Sequence, residues 1–168
     1  MKYELTNETK AVNGKNLFRI RALRDFGTVK AGDLGGWVES ESNLAQLETC
    51  WVYDEAQVSG RAQVYGEAQV SGEARVFGEA WVSGSAQVSG EAYIKSVADY
   101  IVVGPAQSSG RFTTAYIVEN SIVVTTGCFT GTLEEFKLAI EKTHGHNPSY
   151  LKQYRGFANF IGENFETL

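Results

Sequence analysis

The fold is decided by residues 55–96, which read EAQVSG, RAQVYG, EAQVSG, EARVFG, EAWVSG, SAQVSG, EAYIKS. Alanine stands second in every copy, and Val or Ile stands fourth. Residues two apart on an extended chain point to the same face, and the glycine that closes the first six copies supplies a corner. A period of six does not fit an amphipathic α-helix, whose apolar residues recur every 3.6 positions. The repeat therefore predicts flat extended segments joined by corners.

This unit resembles the hexapeptide-repeat family, whose left-handed β-helix has three sides and eighteen residues per coil. The resemblance implies a mainly-β fold, a single-stranded left-handed parallel β-helix of about three coils over residues 37–98. Residues eighteen apart should then stack inside it, with strands ~4.8 Å apart. The expected columns are Val58, Val76 and Ile94 on one side, Val64 and Val82 on the second, and Val52, Val70 and Val88 on the third.

Residues 1–36 are expected to form N-terminal strands and a cap. Leu17 to Leu23 alternates as a strand does, and a glycine-rich turn over residues 26–38 leads into the first coil. The spacing G-x-x-G-G in this turn matches neither a phosphate loop nor a dinucleotide fingerprint, so it indicates tight turning. We interpret Trp37 and Trp51 as a hydrophobic cap over the open first coil, because the end of a solenoid must be sealed.

A closer resemblance covers residues 17–96. The run VKAGDLGGWV (29–38), followed by NLAQ (43–46) and CWVYD (50–54), resembles the YdcK-type transferases and their short relatives encoded by phages and prophages. The resemblance implies a phage or prophage setting. The transferase label in that family rests on fold analogy, and a fold alone does not establish chemistry.

Residues 99–168 are expected to form an α+β module that caps the last coil. The predicted strands are 100–103, 113–118 and 121–126, the last two as a hairpin that turns at Glu119 and Asn120. Thr132 and Glu135 form a capping box that opens a helix, and Gly145 ends it. Asn147 and Pro148 open a second helix.

The first part of this module carries the candidate ligand site. The runs GPAQSSGRFTTAY (104–116) and TTGCFTGTLEEF (125–136) resemble a tail module that recurs on phage proteins with different repeat bodies. A guanidinium, hydroxyls and flexible backbone together suit an anion or nucleotide. The predicted ligand-binding residues are Gly104, Ser108, Ser109, Arg111, Thr113 and Thr114. The alternative is that Arg111 pairs with a carboxylate and the hydroxyls close turns.

The outward positions of the repeats predict an oligomer. Two sides of the β-helix carry aromatic residues and the third carries mostly Gln and Ser. Exposed aromatics in a row usually mark a contact surface, and the resembled family commonly forms parallel trimers. We therefore expect a homotrimer; the alternative is scattered surface aromatics. The predicted interface residues are Tyr65, Arg75, Phe77, Trp81 and Tyr93.

Composition and charge limit the binding partners and the cellular compartment that we expect for this protein. The net charge of −5 argues against nucleic acid as a partner. Cys50 and Cys128 lie far apart, which favours packed thiols in a reducing compartment. The N-terminal run lacks an apolar signal core and no apolar run is long enough to span a membrane, so we expect a cytoplasmic location in the bacterial host.

The positions of the two histidines argue against an enzyme. Hexapeptide acyltransferases place a histidine base on a coil, whereas His144 and His146 both lie between the two predicted C-terminal helices. No catalytic residue, metal site or cofactor is predicted. Three hypotheses remain: a non-catalytic trimeric binding protein that holds a host protein or a small anionic or nucleotide ligand in an anti-defence role; a small acyltransferase; and a structural spacer.

Overall fold

The computed structural model describes residues 1–165 and divides the chain into two compact units, residues 1–99 and a second unit that begins at Tyr100. The predicted N-terminal strands and the β-helix belong to the same unit. The strands of the first unit are β1 (Tyr3–Val12), β2 (Lys15–Ala22), β3 (Leu34–Val38), β4 (Trp51–Val52), β5 (Gln57–Val58), β6 (Gln63–Val64), β7 (Gln69–Val70), β8 (Arg75–Val76), β9 (Trp81–Val82), β10 (Gln87–Val88) and β11 (Tyr93–Ile94).

The short strands build the three sides of a left-handed parallel β-helix, so the predicted fold class is confirmed. The first side contains β3, β5, β8 and β11, the second side β6 and β9, and the third side β4, β7 and β10. Their register reproduces the expected columns: Val58 lies on Val76, Val64 on Val82, and Val70 between Val52 and Val88. Every Val and Ile of these columns and every Ala of the repeats is fully buried, which makes the interior an aliphatic prism.

The coils are tied together by backbone hydrogen bonds from one coil to the next. The Gln57 amide donates to the Ala74 carbonyl at 2.9 Å, and the Gln69 amide donates to the Ala86 carbonyl at the same distance. The glycine that closes each of the first six repeats has a φ between 62° and 73°. Because residues with a side chain rarely adopt this left-handed conformation, glycine is what allows the regular corner.

The first coil departs from the eighteen-residue period. Trp37 pairs with Gln57, twenty positions on, whereas Gln57 pairs with Arg75, eighteen positions on. The two extra residues fall in the corner 45–50, between the bridge of Leu44 to Val64 and strand β4. This enlarged corner leaves Leu47 74% exposed and Glu48 with a φ of 59°.

The start of the chain holds the enlarged corner. The buried Lys2 ammonium donates to the carbonyls of Cys50 at 2.8 Å and Leu47 at 3.3 Å, and lies 3.2 Å from the Cys50 sulfur. Burial lowers the pKa of Lys2. The Tyr3 hydroxyl donates to the Leu44 carbonyl at 2.8 Å, and burial raises the pKa of this phenol well above its usual range. Lys2 and Tyr3 thus donate to carbonyl groups of the first coil, whereas carbonyl groups of the later coils accept from the amides of the coil before them.

Strands β1 and β2 form an antiparallel hairpin that extends the first side beyond β3. The free edge of the first coil is therefore paired with strand β2, which protects it from edge-to-edge association.

The predicted tryptophan cap is wrong. Trp37 and Trp51 pair with Gln57 and Gln69, so they occupy outward positions on the first and third sides, while Val38 and Val52 point inward. Both indoles are nevertheless buried, because the N-terminal segment covers them. The Trp51 ring packs edge-on against Tyr3 and Phe26, with ring centroids 6.0 and 5.2 Å away. The indoles thus fasten the N-terminal segment to the outside of the first coil.

Charges surround the Trp37 ring. The cations of Lys10 and Arg19 lie 5.4 and 5.0 Å from the ring centre, and both donate to Glu55 at 2.9 and 2.8 Å. The indole NH donates to the same carboxylate at 3.1 Å. Hydrogen bonds from Lys10, then Arg19, lower the pKa of Glu55 to about 2. The carboxylate therefore stays ionised, and the hairpin stays paired to the coil, through the mildly acidic range.

The second unit is α+β. Its described part, residues 100–165, contains β12 (Tyr100–Val103), β13 (Thr113–Val118), β14 (Ser121–Thr126), β15 (Phe129–Thr132), α1 (Leu133–His144) and α2 (Pro148–Phe165). The four strands form an antiparallel meander, and the predicted hairpin and both helix starts are confirmed. The Thr132 hydroxyl accepts from the Glu135 amide, as a capping box requires. Strand β15 was not predicted, because a four-residue run that contains Gly131 gives a weak strand signal.

The helices cover one face of this sheet and complete its core. The buried residues include Val124 of the sheet, Phe136 and Ile140 of α1, and Tyr154 and Ile161 of α2. No helix within residues 1–165 is long and apolar enough to cross a membrane.

Candidate functional site

The predicted ligand-binding region opens onto a cleft of about 360 Å³ in the second unit, here called the C-terminal cleft. Loop 104–112, the turn between β14 and β15, and the inner faces of α1 and α2 form its walls. The lining residues are Ser108, Ser109, Arg111, Thr126, Gly127, Phe129, Phe136, Ala139, Ile140, Thr143, His144 and Tyr154. Its volume lies in the range of small-molecule sites.

Hydrogen bonds within loop 104–112 fix the polar wall. The Ala106 amide donates to the Arg111 carbonyl at 2.8 Å, and the Gly110 amide donates to the Ala106 carbonyl at 2.7 Å. Two contacts then hold the loop on α2. The Gln107 amide donates to the Gln153 side chain at 2.8 Å, and the hydroxyls of Ser108 and Tyr154 lie 2.9 Å apart. The loop is therefore held in one position beside the cleft.

Arg111 supplies the positive charge. Its guanidinium lies against the backbone of Gly127, where a methyl group would overlap it. Gly127 has a φ of 58°, so both its conformation and its missing side chain make room for this contact. Within residues 1–165 no carboxylate pairs with Arg111. The alternative of an ion-paired Arg111 thus finds no partner in the described chain.

Aromatic rings form the opposite wall. His144, the last residue of α1, stacks on Tyr154 with ring centroids 4.6 Å apart and an interplanar angle of 7°. Phe136 lies edge-on to Tyr154 at 6.4 Å and tilted against Phe129 at 5.5 Å. These contacts form one connected aromatic group. Such a surface takes up planar rings, while the guanidinium can bind an anion through two parallel hydrogen bonds.

The six predicted ligand-binding residues divide into two sets. Ser108, Ser109 and Arg111 line the cleft, whereas Gly104, Thr113 and Thr114 do not. The two threonines are buried in β13, which lies between β12 and β14, so a ligand in the cleft does not reach their side chains. Gly104 begins the loop with a φ of 136°, and a side chain there would press on Phe112. These three residues shape the loop and the sheet.

The aromatic wall was missed from the sequence because Phe136, His144 and Tyr154 belong to the two helices and Phe129 belongs to β15, which was not predicted. Phe136, Ala139, Ile140 and Thr143 form a stripe at helical spacing along α1, and Phe136 and Ile140 of this stripe are buried in the core. Its C-terminal end, at Thr143 and His144, opens onto the cleft instead. A helical stripe that runs past the end of the sheet is the signal that could have indicated this wall.

Among the described residues that line the cleft, no hydrogen bond joins a serine to a histidine or to a carboxylate. Ser108 bonds to a tyrosine, and His144 stacks on a ring. Cys128 is exposed in the turn after β14, which corrects the expectation of a packed thiol, whereas Cys50 is buried as expected. No three His, Cys, Asp or Glu side chains within residues 1–165 are placed to share a metal ion.

The predicted interface residues lie on the outer faces of the first unit. On the second side, Tyr65 and Trp81 are 37% and 52% exposed. On the first side, Arg75 and Tyr93 are exposed and Phe77 is half-buried. The rings of Phe77 and Tyr93 pack edge-to-face with centroids 4.5 Å apart, so part of their area is already used within the chain.

Part of this chain is similar in sequence to a known protein. No family model matches the sequence. A curated protein of Escherichia coli (strain K12), named as the uncharacterized acetyltransferase YdcK, is 38% identical over 66 residues. The match covers 34% of this chain and 20% of that relative, so the chain spans about a fifth of the relative's length. The repeat, the β-helix and this similarity fit a hexapeptide-repeat protein.

Proposed function

We propose that this protein is a non-catalytic binding protein whose C-terminal cleft holds a small anionic ligand with a planar ring, a nucleotide being the class that combines the two. The observation that carries the proposal is the Arg111 guanidinium, which lies without an ion-pair partner among the described residues at the edge of an aromatic cleft. An arginine fork binds phosphate or carboxylate through paired hydrogen bonds.

The size and the chemistry of the cleft support the same ligand class. A volume of about 360 Å³ suits a small molecule and is too small for a folded partner. Ser109, Thr126 and Thr143 add hydroxyls at the rim, and the rings of Phe136 and Tyr154 offer a stacking surface. In the phage setting implied by the resemblance of this module, such a cleft would sequester a nucleotide signal of the host.

Arg111→Gln tests the anion contact. We expect native mass spectrometry of the freshly purified protein to show a retained anion that the variant lacks. Calorimetric titration with adenosine 5′-monophosphate should show binding that Arg111→Gln weakens about 10- to 100-fold, the loss expected for a charge-assisted hydrogen-bond pair.

Lys152→Gln is the matched control, because it removes the same charge from an exposed position on α2 that does not line the cleft. Its affinity should equal that of the unchanged protein. Equal affinity of Arg111→Gln, or a protein that neither retains an anion nor binds the nucleotide, would refute the proposed function.

An acetyltransferase activity is the second candidate, and the name of the YdcK relative favours it. A transferase would need a general base beside the acyl carrier, yet both histidines of the sequence belong to the second unit and neither stands on a coil of the repeat. Protection of the first unit against thermal unfolding by acetyl-coenzyme A would favour this candidate over the binding protein. A structural spacer would bind neither the nucleotide nor acetyl-coenzyme A.

We also propose that the protein is a homotrimer joined through its second side. Tyr65 and Trp81 project from that side, and a groove of about 460 Å³ lies beside Trp81, lined by Ser42, Gly60, Arg61, Gln63 and Glu79. A projecting aromatic residue and a groove on the same side can meet head-to-tail, which closes a ring under threefold symmetry.

Sedimentation measures this assembly directly. We expect a mass about three times the 18.4 kDa of the chain, and a fall to the single-chain mass for the double variant of Tyr65→Ala and Trp81→Ala. Large aromatic residues dominate interface energies, which is why two truncations should suffice. Gln87→Ala on the third side should leave the mass unchanged. A single-chain mass for the unchanged protein, or a trimer that survives the double variant, would contradict the proposed contact.

A further inference from the structure

A second cleft lies in the first unit, between the tip of the β1–β2 hairpin and the outer face of the first side. We call it the side-one cleft. Its volume is about 320 Å³. The lining residues are Val12, Asn13, Lys15 and Leu17 of the hairpin and Gln57, Ser59, Gly60, Arg75, Val76, Phe77, Gly78 and Tyr93 of the coils.

The two walls are largely apolar. Val12 and Leu17 form the hairpin wall, and the rings of Phe77 and Tyr93 form the coil wall. The ring centroids of Phe77 and Tyr93 lie 4.5 Å apart at an interplanar angle of 61°. Tyr93 is still 56% exposed, so a face of this ring pair remains open to a further ring.

Two cations line the side-one cleft, and one of them is neutralised. Lys15 donates to the Glu39 carboxylate at 2.6 Å, and the Gly60 amide donates to the same oxygen at 2.6 Å. The bond from Lys15, then that from Gly60, lowers the pKa of Glu39, so the pair keeps its opposite charges at neutral pH.

Arg75 is the other cation. It lies in register between Gln57 and Tyr93 on the first side. Across residues 1–165 no carboxylate forms an ion pair with it, although carboxylates neutralise Lys10, Lys15 and Arg19 nearby. The cleft therefore joins one uncompensated guanidinium to an aromatic pair and an apolar wall.

We propose that the side-one cleft binds a small planar organic anion, such as an aromatic carboxylate. Arg75 takes the anionic group, Gln57 and Ser59 offer further polar contacts, and the planar part lies between Leu17 and the ring pair. This assigns Arg75, Phe77 and Tyr93 to a ligand site rather than to the subunit contact, which is left to Tyr65 and Trp81. A concave surface that a hairpin partly closes suits a small molecule better than a flat protein contact.

The test uses 2-naphthoate, a planar aromatic anion, and its neutral amide, 2-naphthamide. Calorimetric titrations are made on full-length protein that carries Arg111→Gln, so that the C-terminal cleft contributes little to the signal. We expect 2-naphthoate to bind at least tenfold more tightly than the amide. Adding Arg75→Gln should remove this preference and weaken naphthoate binding at least tenfold.

Arg24→Gln is the matched control, since Arg24 is an exposed arginine of the first unit that does not line the side-one cleft. It should leave both affinities unchanged. Tyr93→Ala should weaken the acid and the amide alike, because it removes the ring contact and keeps the charge. Absence of naphthoate binding, equal affinity for acid and amide, or a preference that survives Arg75→Gln would each overturn the proposal. The nucleotide titrations of Arg111 depend on the other cleft, so either proposal can fail while the other stands.

Discussion

Val70→Asp is expected to lower the free energy of unfolding of the first unit by on the order of 5 kcal/mol. Val70 is fully buried between Val52 and Val88, inside a prism that only aliphatic side chains fill. A carboxylate there finds no cation and no water, and protonating it still leaves polar atoms without partners. A loss of this size is comparable to the whole stability of many domains.

Tryptophan fluorescence during urea unfolding measures this loss, because Trp37, Trp51 and Trp81 all lie in the first unit. Gln87→Asp is the control: it places the same carboxylate at an exposed outward position of β10 and should shift the midpoint little. If both variants unfold at the same urea concentration, the inward placement of the Val column is wrong.

Gly36→Ala is expected to cost about 3 kcal/mol, although it adds a single methyl group. That methyl would lie 2.5 Å from the Ala56 carbonyl oxygen and 2.7 Å from a methyl carbon of Val52. Gly36 takes the place in the first coil that Ala56 takes in the next, since Trp37 pairs with Gln57. Alanine fits that place in the regular coils, and the different geometry of the twenty-residue coil excludes it here.

The same urea measurement tests this cost, with Gly156→Ala as the control. Nothing lies within 4 Å of a methyl group added at Gly156 in α2, and alanine favours a helix more than glycine by about 1 kcal/mol. The control should therefore be neutral or slightly stabilising when helix unfolding is followed by circular dichroism. If the Gly36→Ala protein is as stable as the original, the first coil can shift to hold the added methyl group, and the predicted cost is wrong.

The regular part of the β-helix could be predicted residue by residue because its signal is a period. Each Val column, from Val58 on Val76 to Val70 on Val88, depends only on the spacing of eighteen and on the alternation of faces. The hairpin at Glu119 and the capping box at Thr132 were equally local, since each depends on a few adjacent residues. The handedness and the three sides of each coil, which turn a period of six into a spacing of eighteen, came from the family resemblance.

The N-terminal coil could not be predicted in the same way, because its structure depends on contacts between distant residues. Trp37 and Trp51 look like a cap when the repeat is considered alone, and their burial follows from Tyr3, Phe26 and the hairpin. Nothing in the local sequence indicates that the Lys2 ammonium lies on the corner of Cys50.

The residues of the candidate sites could be predicted only where they are neighbours in the sequence. Ser108, Ser109 and Arg111 were found because they are neighbours in the sequence. His144 and Tyr154 come from two helices, and their place opposite Arg111 depends on how those helices pack on the sheet. The side-one cleft depends on a hairpin tip that meets the coils, which no local pattern shows.

The first coil also limits how a protein of this design can change in length during evolution. From Gln57 onward each coil bonds at a constant step of eighteen residues, so duplicating or deleting one whole coil would move later residues by ~4.8 Å along the axis and leave their neighbours unchanged. A gain of six residues would instead turn every later face by a third of a revolution. The twenty-residue coil has no such freedom, because its corner needs Lys2 and Tyr3. Whole-coil changes beyond Gln57 therefore keep the stacking of the later coils, whereas a change within the first coil would disturb the contacts of Lys2 and Tyr3.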